Sequence, residues 1–244
     1  MTAVRSLVYL LGQIISAIVI DLIVLLTIPL SRSLRDRVIS SWARFNIWTL
    51  RIICGLEYRV KGLENIPDQP TIIISNHQSA WETLCFQLLF PPLSFVLKRQ
   101  LLWIPFFGWG LAAYSPVAID RGKKMRALDQ LIKQGKRRLE EGRWLVIYPE
   151  GTRMSPGHPG KFQIGGAMIA AKTGAPLLPV AHNAGVFWPK KSFLKYPGTI
   201  DLVIGPAIKT EGRKAREINA QAENWIKNKI SELPIKKAET DSHI

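Results

Sequence analysis

A histidine and a glutamate five positions apart, His77 and Glu82, are the residues best placed to carry out chemistry. The β-branched run at 71–74 predicts a buried strand that ends just before the histidine, and the apolar residues after the glutamate predict a helix. Two residues five apart on one helix lie about 140° apart around its axis and could not touch. The pair can therefore meet only if His77 lies in the loop and Glu82 reaches back from the helix. The carboxylate would then hold one imidazole nitrogen while the other faced a hydroxyl group.

Two further polar clusters also follow predicted strands. Residues 120–124 (Asp-Arg-Gly-Lys-Lys) come after a strand predicted at 116–119, and residues 148–153 (Tyr-Pro-Glu-Gly-Thr-Arg) come after one that begins at Trp144. An arginine beside a glycine at a strand-to-helix turn can bind an anion, because the guanidinium forks around it and the backbone approaches closely. Arg121 and Arg153 are therefore candidate anion-binding residues.

Each of these residues also has an interpretation without chemistry. His77 could be an ordinary loop histidine, with Glu82 favoured only by the positive end of the helix dipole. Arg121 could pair with the aspartate before it, and Arg153 could be a solvated loop arginine or the partner of Glu150. Three such clusters at three strand ends favour one shared crevice over separate coincidences.

From residue 57 onward the hydrophobic pattern alternates between short strands and helices. This alternation predicts an α/β fold, a mixed, largely parallel sheet flanked by helices, in which ligands bind beyond the carboxyl ends of the strands. The predicted strands are 57–60, 71–75, 94–97, 116–119, 144–148, 177–181 and 200–204, and the predicted helices are 80–90, 100–112, 123–141, 164–173 and 213–232.

The first 54 residues differ in composition from the rest. Residues 6–30 are almost wholly apolar and exceed the roughly 20 residues that a membrane span needs, but they contain Gln13 and Asp21. Residues 33–54 mix tryptophans and aliphatic side chains with arginines, which is typical of a helix at a lipid interface. We therefore predict a two-helix membrane-docking segment at 1–54, followed by the α/β domain at 55–244. The alternatives are a complete membrane span by the first helix and ordinary core packing by the second.

The composition narrows the choice of partner. A net charge of +15 requires an acidic one, and nucleic acid, an anionic membrane or phosphorylated small molecules would each qualify. Nucleic acid is disfavoured because the sequence has neither a recognition motif nor an aromatic platform outside its apolar N-terminus. The two cysteines lie in apolar surroundings, as expected of core thiols in a reducing compartment, and no spacing is typical of a metal site.

Four ordered blocks of the sequence resemble those of the glycerolipid acyltransferases. They are Asn76-His77 with Glu82, residues 118–121, residues 148–153 and residues 178–180. The resemblance covers roughly residues 57–207, and its Pro-Glu-Gly-Thr-Arg block is specific in that context. The most similar branch transfers an acyl group to the 2-hydroxyl of 1-acyl-sn-glycerol 3-phosphate (lysophosphatidic acid), which gives phosphatidic acid for phospholipid biosynthesis.

The resemblance implies a role for each matching residue. His77 would be the general base, and Glu82 would be its carboxylate partner at a position where the family usually has aspartate. The substrate would be bound at the family's basic positions and third block, which correspond to Lys98, Arg121, Glu150, Gly151, Thr152 and Arg153. The resemblance implies neither a metal, nor a cofactor, nor a covalent acyl-enzyme.

The resemblance also implies the partners and the location. The acceptor would be lysophosphatidic acid, the donor acyl-CoA or acyl carrier protein (acyl-ACP), and the enzyme would dock on anionic lipid at the cytoplasmic face of a bacterial inner membrane. Because a thioester is already activated, the site need only position it, deprotonate an alcohol and stabilise an oxyanion. Backbone N–H groups in the turn after His77 are candidate oxyanion donors.

Several alternatives stay open in the sequence. A sibling enzyme of the same family could acylate glycerol 3-phosphate, another lysophospholipid or a lyso-ornithine lipid. The chain could instead be a non-catalytic, membrane-tethered lipid-binding module. Within the site, His182 competes with His77 for the role of base, but it has no carboxylate close in sequence. We therefore predict a core or pocket-lining position for His182.

Overall fold

Seven strands form one sheet in the computed structural model, which describes residues 1–104, 107–120 and 124–235. The strand order is β1-β7-β6-β2-β5-β3-β4, and every neighbouring pair is parallel except β6 and β7, which are antiparallel. The strands are β1 Leu56–Lys61, β2 Ile72–Ser75, β3 Leu93–Lys98, β4 Val117–Ile119, β5 Trp144–Ile147, β6 Leu177–His182 and β7 Gly198–Ile204. The predicted mixed, largely parallel sheet is confirmed.

Helices cover both faces of this sheet because the central strands are apolar on both sides. Side chains alternate between the faces, so Ile73 of β2 packs into one core while Ile72 and Ile74 pack into the other. The first core also contains side chains of α2 and α3, and the second contains side chains of α5, α6 and α8. The helices are α1 Thr2–Leu26, α2 Arg32–Cys54, α3 Trp81–Leu89, α4 Phe107–Ala113, α5 Lys124–Glu140, α6 Gly165–Thr173, α7 Ala184–Phe187 and α8 Ala215–Glu232.

The continuous helix predicted at 100–112 is wrong. The structure has a 3₁₀ turn at Arg99–Trp103 and then α4, with Ile104 between them in an extended conformation. The next residue in the sequence is Pro105, and a residue before proline is pushed out of the helical region by contact with the proline ring. Residues 105–106 lie outside the described part of the chain.

The two N-terminal helices pack against the α/β body as well as against each other. Leu50 and Cys54 of α2 and Tyr9 of α1 lie in the same core as the sheet. The helix α2 ends at Gly55, whose left-handed backbone (φ 65°) turns the chain directly into β1. The division into a docking segment and a catalytic domain therefore stays a prediction about function, since the two regions share a core.

A buried ion pair fastens the start of α2 to the sheet. The guanidinium of Arg143, just before β5, donates to both carboxylate oxygens of Asp36 at 2.8 and 2.7 Å. It also donates to the Ser94 hydroxyl at 3.0 Å and to the Leu93 carbonyl at 2.8 Å, both in β3. Such a bidentate pair fixes direction as well as distance, so α2 is held in one orientation over the edge of the sheet.

Lys195 holds the first turns of α1. Its backbone N–H donates to the Ser6 hydroxyl at 2.9 Å, and its ammonium lies 5.1 Å from the ring centre of Tyr9 and 4.7 Å from that of Trp188. At these distances a cation is attracted to the faces of aromatic rings. Further along α1, the Asp21 carboxylate lies so close to Gly110 of α4 that a Cβ there would meet Oδ1 at 2.1 Å. The helix α1 therefore contacts the body near both of its ends.

The opposite face of α1 is apolar and exposed. By length and composition, α1 is the one helix among the described residues that could cross a membrane. Soluble proteins rarely expose a continuous apolar surface of this kind. Its exposed apolar side chains include Val4, Leu7, Val8, Leu11, Ile14, Ile15, Ile18, Val19, Leu22, Ile23 and Leu26.

Replacing Asp36 with alanine should lower the free energy of unfolding by about 3–5 kcal/mol, because it leaves the buried Arg143 guanidinium without its charge partner. Urea unfolding of the detergent-solubilised protein measures the change. Glu57→Ala is the matched control, since it breaks an ion pair with Arg51 whose two side chains are 51% and 65% exposed. The control should change the free energy by less than about 1 kcal/mol, and equal effects would show that the Asp36 pair does not fasten α2.

Candidate active site

Four strands bring their polar ends to one edge of the sheet. His77 follows β2, Tyr148 follows β5, His182 ends β6 and Lys98 ends β3. Because these strands are mutually parallel, their carboxyl ends lie together. A cavity of about 970 Å³ opens at this edge, a volume typical of sites for sizeable ligands. Its lining includes His77, Leu84, Lys98, Leu101, Leu111, Tyr148, Gly151, Thr152, Arg153, Lys190 and Lys191, together with Gln13, Ala17, Ile20 and Asp21 of α1.

One oxygen of Glu82 organises the turn that carries His77. Oε1 of Glu82 accepts hydrogen bonds from the Gln78 N–H at 2.9 Å and the Ser79 N–H at 2.8 Å, and it lies 2.7 Å from Nδ1 of His77. Glu82 is the second residue of α3 and is fully buried. A carboxylate at this position binds the amides of the loop before the helix, favours the helix dipole and fixes the imidazole. The structure thus brings His77 and Glu82 together across the loop-to-helix junction.

The charge on Glu82 is maintained despite its burial. Burial favours the protonated acid, but the His182 imidazole, the hydrogen bond from His77 and the Ser79 N–H together hold the pKa of Glu82 below its ordinary value. An ionised Oε1 accepts a hydrogen bond from the Nδ1–H group of His77. In the neutral ring, the lone pair then lies on Nε2. The His77 side chain is 16% exposed, and its ring lines the cavity.

The His77 ring stacks on the ring of Tyr148. The rings of His77 and Tyr148 are nearly parallel, at 13°, with centres 4.1 Å apart, and Phe86 and Phe95 stack on Tyr148 in turn. The Tyr148 hydroxyl is buried without a hydrogen-bond partner in the described structure, and burial raises the pKa of Tyr148 well above its usual value. Tyr148 therefore acts here as a flat neutral surface that limits rotation of the imidazole.

Glu150 connects the His77 turn to the loop after β5. Its Oε2 accepts from the His77 N–H at 2.8 Å and its Oε1 from the Gly160 N–H at 2.9 Å. The Met154 N–H in turn donates to the His77 carbonyl at 2.7 Å. Burial raises the pKa of Glu150 above its ordinary value, although these N–H groups oppose the shift. The structure thus places Glu150 on backbone amides rather than on Arg153, the partner that the sequence had allowed.

The prediction that backbone N–H groups in the turn after His77 bind the oxyanion is wrong for Gln78 and Ser79. The N–H groups of His77, Gln78 and Ser79 are already bound to the carboxylates of Glu150 and Glu82. Sequence could not show this, because it depends on where two carboxylates from different elements arrive. An oxyanion at this site therefore needs donors other than these three amides.

Cations line the mouth of the cavity. The exposed residues of the lining there include Lys98, Thr152 and Arg153. Gly151, which also lines the cavity, has a left-handed backbone (φ 70°) that turns the loop. Within the described residues, no carboxylate forms an ion pair with Lys98 or Arg153. Arg121, the other predicted anion-binding residue, lies outside the described residues.

Sequence analysis missed two of the lysines at the cavity, Lys190 and Lys191. Both lie between α7 and β7, and both line the cavity. The available signal was a Lys-Lys pair a few residues after a predicted strand end. That signal is weak, because paired lysines are common on solvated surfaces and only the tertiary fold turns this pair towards His77.

His182 occupies the predicted core position. It is completely buried, and burial lowers its pKa below the ordinary value, although the Glu82 carboxylate opposes the shift. Its Nδ1 accepts from the Ala184 N–H at 3.2 Å, which leaves the proton on Nε2 to donate to the Asn76 carbonyl at 3.0 Å. The Asn76 side chain also exchanges hydrogen bonds with the His182 backbone at 2.9 and 3.1 Å. These bonds tie β2 to β6 beneath the His77 turn.

The geometry limits the chemistry that the site can perform. Among the described residues, no group of three or more His, Cys, Asp or Glu side chains could hold a metal ion. A neutral imidazole held by a carboxylate can remove a proton from a hydroxyl group. Together with the cations and the cavity, this pair defines an α/β enzyme suited to deprotonate a hydroxyl on an anionic substrate.

Comparison with known proteins identifies the family. The model of the acyltransferase family matches residues 57–183, which is more than half of the chain. This stretch contains His77, Glu82 and the loop after β5. The chain belongs to the acyltransferase family, and the resemblance recognised in the four sequence blocks is confirmed.

Individual relatives extend the similarity beyond that stretch. A 1-acyl-sn-glycerol-3-phosphate acyltransferase of Pseudomonas aeruginosa is 51% identical over 199 residues, which cover 80% of this chain and 77% of the relative. One from Saccharomyces cerevisiae is 30% identical over 191 residues, covering 74% and 61%. The crystal structure of the 1-acyl-sn-glycerophosphate (LPA) acyltransferase PlsC from Thermotoga maritima matches with a TM-score of 0.79 at 25% identity, over 98% of both chains.

The two histidines should respond differently to replacement by alanine. His77→Ala should lower kcat by about 10²–10⁴-fold, the usual loss for a general base, with little change in thermal stability because its ring faces the cavity. His182→Ala should instead lower the unfolding temperature, because buried backbone groups lose their partners. Acyl-transfer kinetics and thermal unfolding of both variants test this, and near wild-type turnover by His77→Ala would show that His77 is not the general base.

Proposed function

We propose that this chain transfers a fatty acyl group from a thioester to the 2-hydroxyl of 1-acyl-sn-glycerol 3-phosphate. The observation that carries the proposal is the His77–Glu82 pair, with Nδ1 and Oε1 2.7 Å apart, inside a cavity with a cationic mouth. The relatives of Pseudomonas and yeast that bear this activity in their names support the choice of acceptor. Both acyl-CoA and acyl-ACP fit as donors, because both present a thioester.

The reaction proceeds through a complex of enzyme, donor and acceptor. Nε2 of His77 takes the proton of the acceptor's 2-hydroxyl while the oxygen of that hydroxyl attacks the thioester carbonyl. The new C–O ester bond forms and the C–S bond breaks, and the departing thiolate recovers the proton. Glu82 stabilises the imidazolium that exists in between, so the base needs no metal and no covalent intermediate.

The cavity provides distinct surroundings for the two ends of the acceptor. In the acceptor, a single carbon separates the carbon that bears the reacting hydroxyl from the phosphate ester. The phosphate must therefore bind close to His77, where Arg153 can bind it through a bidentate pair of hydrogen bonds. The Thr152 hydroxyl and the Lys98 ammonium are the candidate donors for the oxyanion, since the N–H groups of Gln78 and Ser79 are occupied. The acyl tails fit the apolar lining formed by Ala17, Ile20, Leu84, Leu101 and Leu111.

The N-terminal helices dock this site on a membrane. Because Ser6 and Asp21 of α1 both contact the body, α1 lies along the body instead of projecting away from it. Its exposed apolar face is then free for the hydrocarbon region of one leaflet, and the basic surface favours anionic headgroups. This arrangement supports attachment at the cytoplasmic face of an inner membrane, where lipid substrates enter the cavity from the bilayer.

The acceptor is tested by kinetics on Arg153. Arg153→Ala should raise KM for lysophosphatidic acid by about tenfold or more, and Arg153→Lys should restore little because a point charge cannot replace the fork. Arg216→Ala, which removes an exposed arginine of α8 outside the cavity lining, is the matched control. The panel includes glycerol 3-phosphate and a lysophospholipid with a larger headgroup. Faster transfer to either of these than to lysophosphatidic acid would contradict the proposed acceptor.

Membrane docking is tested by cysteine labelling of the full chain, because removal of residues 1–54 would open the core. In a Cys54→Ala, Cys85→Ala background, single cysteines are introduced by Ala3→Cys in α1 and by Lys209→Cys on the exposed body. A membrane-impermeant maleimide should label both only after the cells are opened. If the cysteine at position 3 reacts from outside intact cells while the one at 209 does not, α1 crosses the membrane.

A further inference from the structure

Two lysines at the cavity have no role in the function proposed above. Lys190 donates from Nζ to the Arg153 carbonyl at 3.2 Å, and Lys191 has a left-handed backbone with φ 60°, which is uncommon for a residue other than glycine. Neither lysine forms an ion pair with any carboxylate of the described ranges. Two ammonium groups are thus held at the cavity without a counter-charge.

The cations at the cavity come from separate segments of the chain. Arg153 is adjacent to Met154, whose N–H is bonded to the His77 carbonyl at 2.7 Å, so Arg153 belongs to the loop that is tied to the His77 turn. Lys190 and Lys191 belong to the segment between α7 and β7, and Lys190 contacts that loop through its hydrogen bond to the Arg153 carbonyl. Lys191 is exposed. The two lysines therefore form a second group of cations at the cavity, on a segment other than the one that carries Arg153.

The two substrates of an acyl transfer carry their phosphates at different distances from the reacting atoms. In the acceptor, a single carbon separates the hydroxyl-bearing carbon from the phosphate ester. In the donor, the thioester sulfur and the nearest phosphate lie at opposite ends of the long pantetheine arm. The reaction therefore needs two separate phosphate positions: Arg153 suits the acceptor phosphate, and the second group of cations, Lys190 and Lys191, suits the donor phosphate.

We propose that Lys190 and Lys191 form a separate subsite that binds a phosphate group of the acyl donor; this inference rests on the proposed function. Phosphopantetheine is common to acyl-CoA and acyl-ACP, and CoA adds the phosphates of its nucleotide. Lysine binds phosphate as a point charge and tolerates either a monoester or a diester. The hydrogen bond from the Lys190 ammonium to the Arg153 carbonyl keeps one charge at the cavity before the donor arrives, and Lys191 adds a second charge to the same lining.

The test compares donors with and without phosphate. Three variants, the double variant Lys190→Ala/Lys191→Ala, Lys191→Ala alone and Lys209→Ala as a control, are assayed as full chains in mixed micelles with lysophosphatidic acid. Lys209 is an exposed lysine next to Ile208, which pairs with Leu177 at the opposite end of β6. The donors are palmitoyl-CoA, palmitoyl-ACP, palmitoyl-phosphopantetheine and palmitoyl-pantetheine, of which the last has no phosphate. Thermal unfolding accompanies each assay.

The double variant should raise KM for phosphorylated donors by about tenfold or more, with an unchanged acceptor KM, and Lys191→Ala should show part of this effect. With palmitoyl-pantetheine, the variant and the wild type should have the same KM. An effect with palmitoyl-phosphopantetheine assigns the subsite to the pantetheine phosphate, and an effect with palmitoyl-CoA alone assigns it to the nucleotide phosphates.

Other outcomes would overturn the subsite. They are a raised acceptor KM, an equal loss with the phosphate-free donor, no change in any donor KM, or weaker binding to anionic vesicles as the variant's sole defect. The last result would show that these lysines bind lipid headgroups instead of the donor. If the wild type transferred palmitate from none of the donors, the proposed function itself would fail, which is a result distinct from all of these.

Discussion

Oε1 of Glu82, a single buried oxygen, is bound by two backbone N–H groups and the His77 ring, and the active-site turn depends on this arrangement. Without an ionised acceptor at this point, two buried amides would lack partners and the imidazole would lose its fixed tautomer. The position of Glu82 in the first turn of α3 makes the arrangement stable, because the helix dipole favours the same negative charge that the histidine needs. The fold of this turn and the proposed role of His77 as a base therefore require the same ionisation state of Glu82.

Glu82 stands at the position where the resemblance described above leads us to expect an aspartate. A longer side chain reaches from the second residue of α3 across to both the turn amides and the His77 ring. A second carboxylate, Glu150, holds the other side of the same turn through the His77 N–H. Two carboxylates, one from α3 and one from the loop after β5, thus fix a short loop from two directions, and the His77 ring that this loop carries lines the cavity.

The N-terminal helices are part of the body of the protein. Arg143 holds Asp36 of α2, and Lys195 holds the first turns of α1 through Ser6 and Tyr9. Residues of α1 line the same cavity as His77, while the opposite face of α1 is apolar and exposed. Under the proposed function, one helix would face both lipid and substrate, and a lipid acceptor would reach His77 without leaving an apolar environment.

The sequence by itself determined the strands, most of the helices, the loop position of His77 and its carboxylate partner, because these follow from local periodicity and from spacing along one segment. It also predicts anion binding by the loop after β5. The break before α4 follows from Pro105, a local signal that the prediction of a continuous helix overlooked. Only the tertiary structure decided which amides Glu82 and Glu150 occupy, that Lys190 and Lys191 line the cavity, and that α1 shares it. Each of these last features depends on contacts between segments distant in sequence. Such contacts are set by packing and by the satisfaction of buried charges, which no local pattern records.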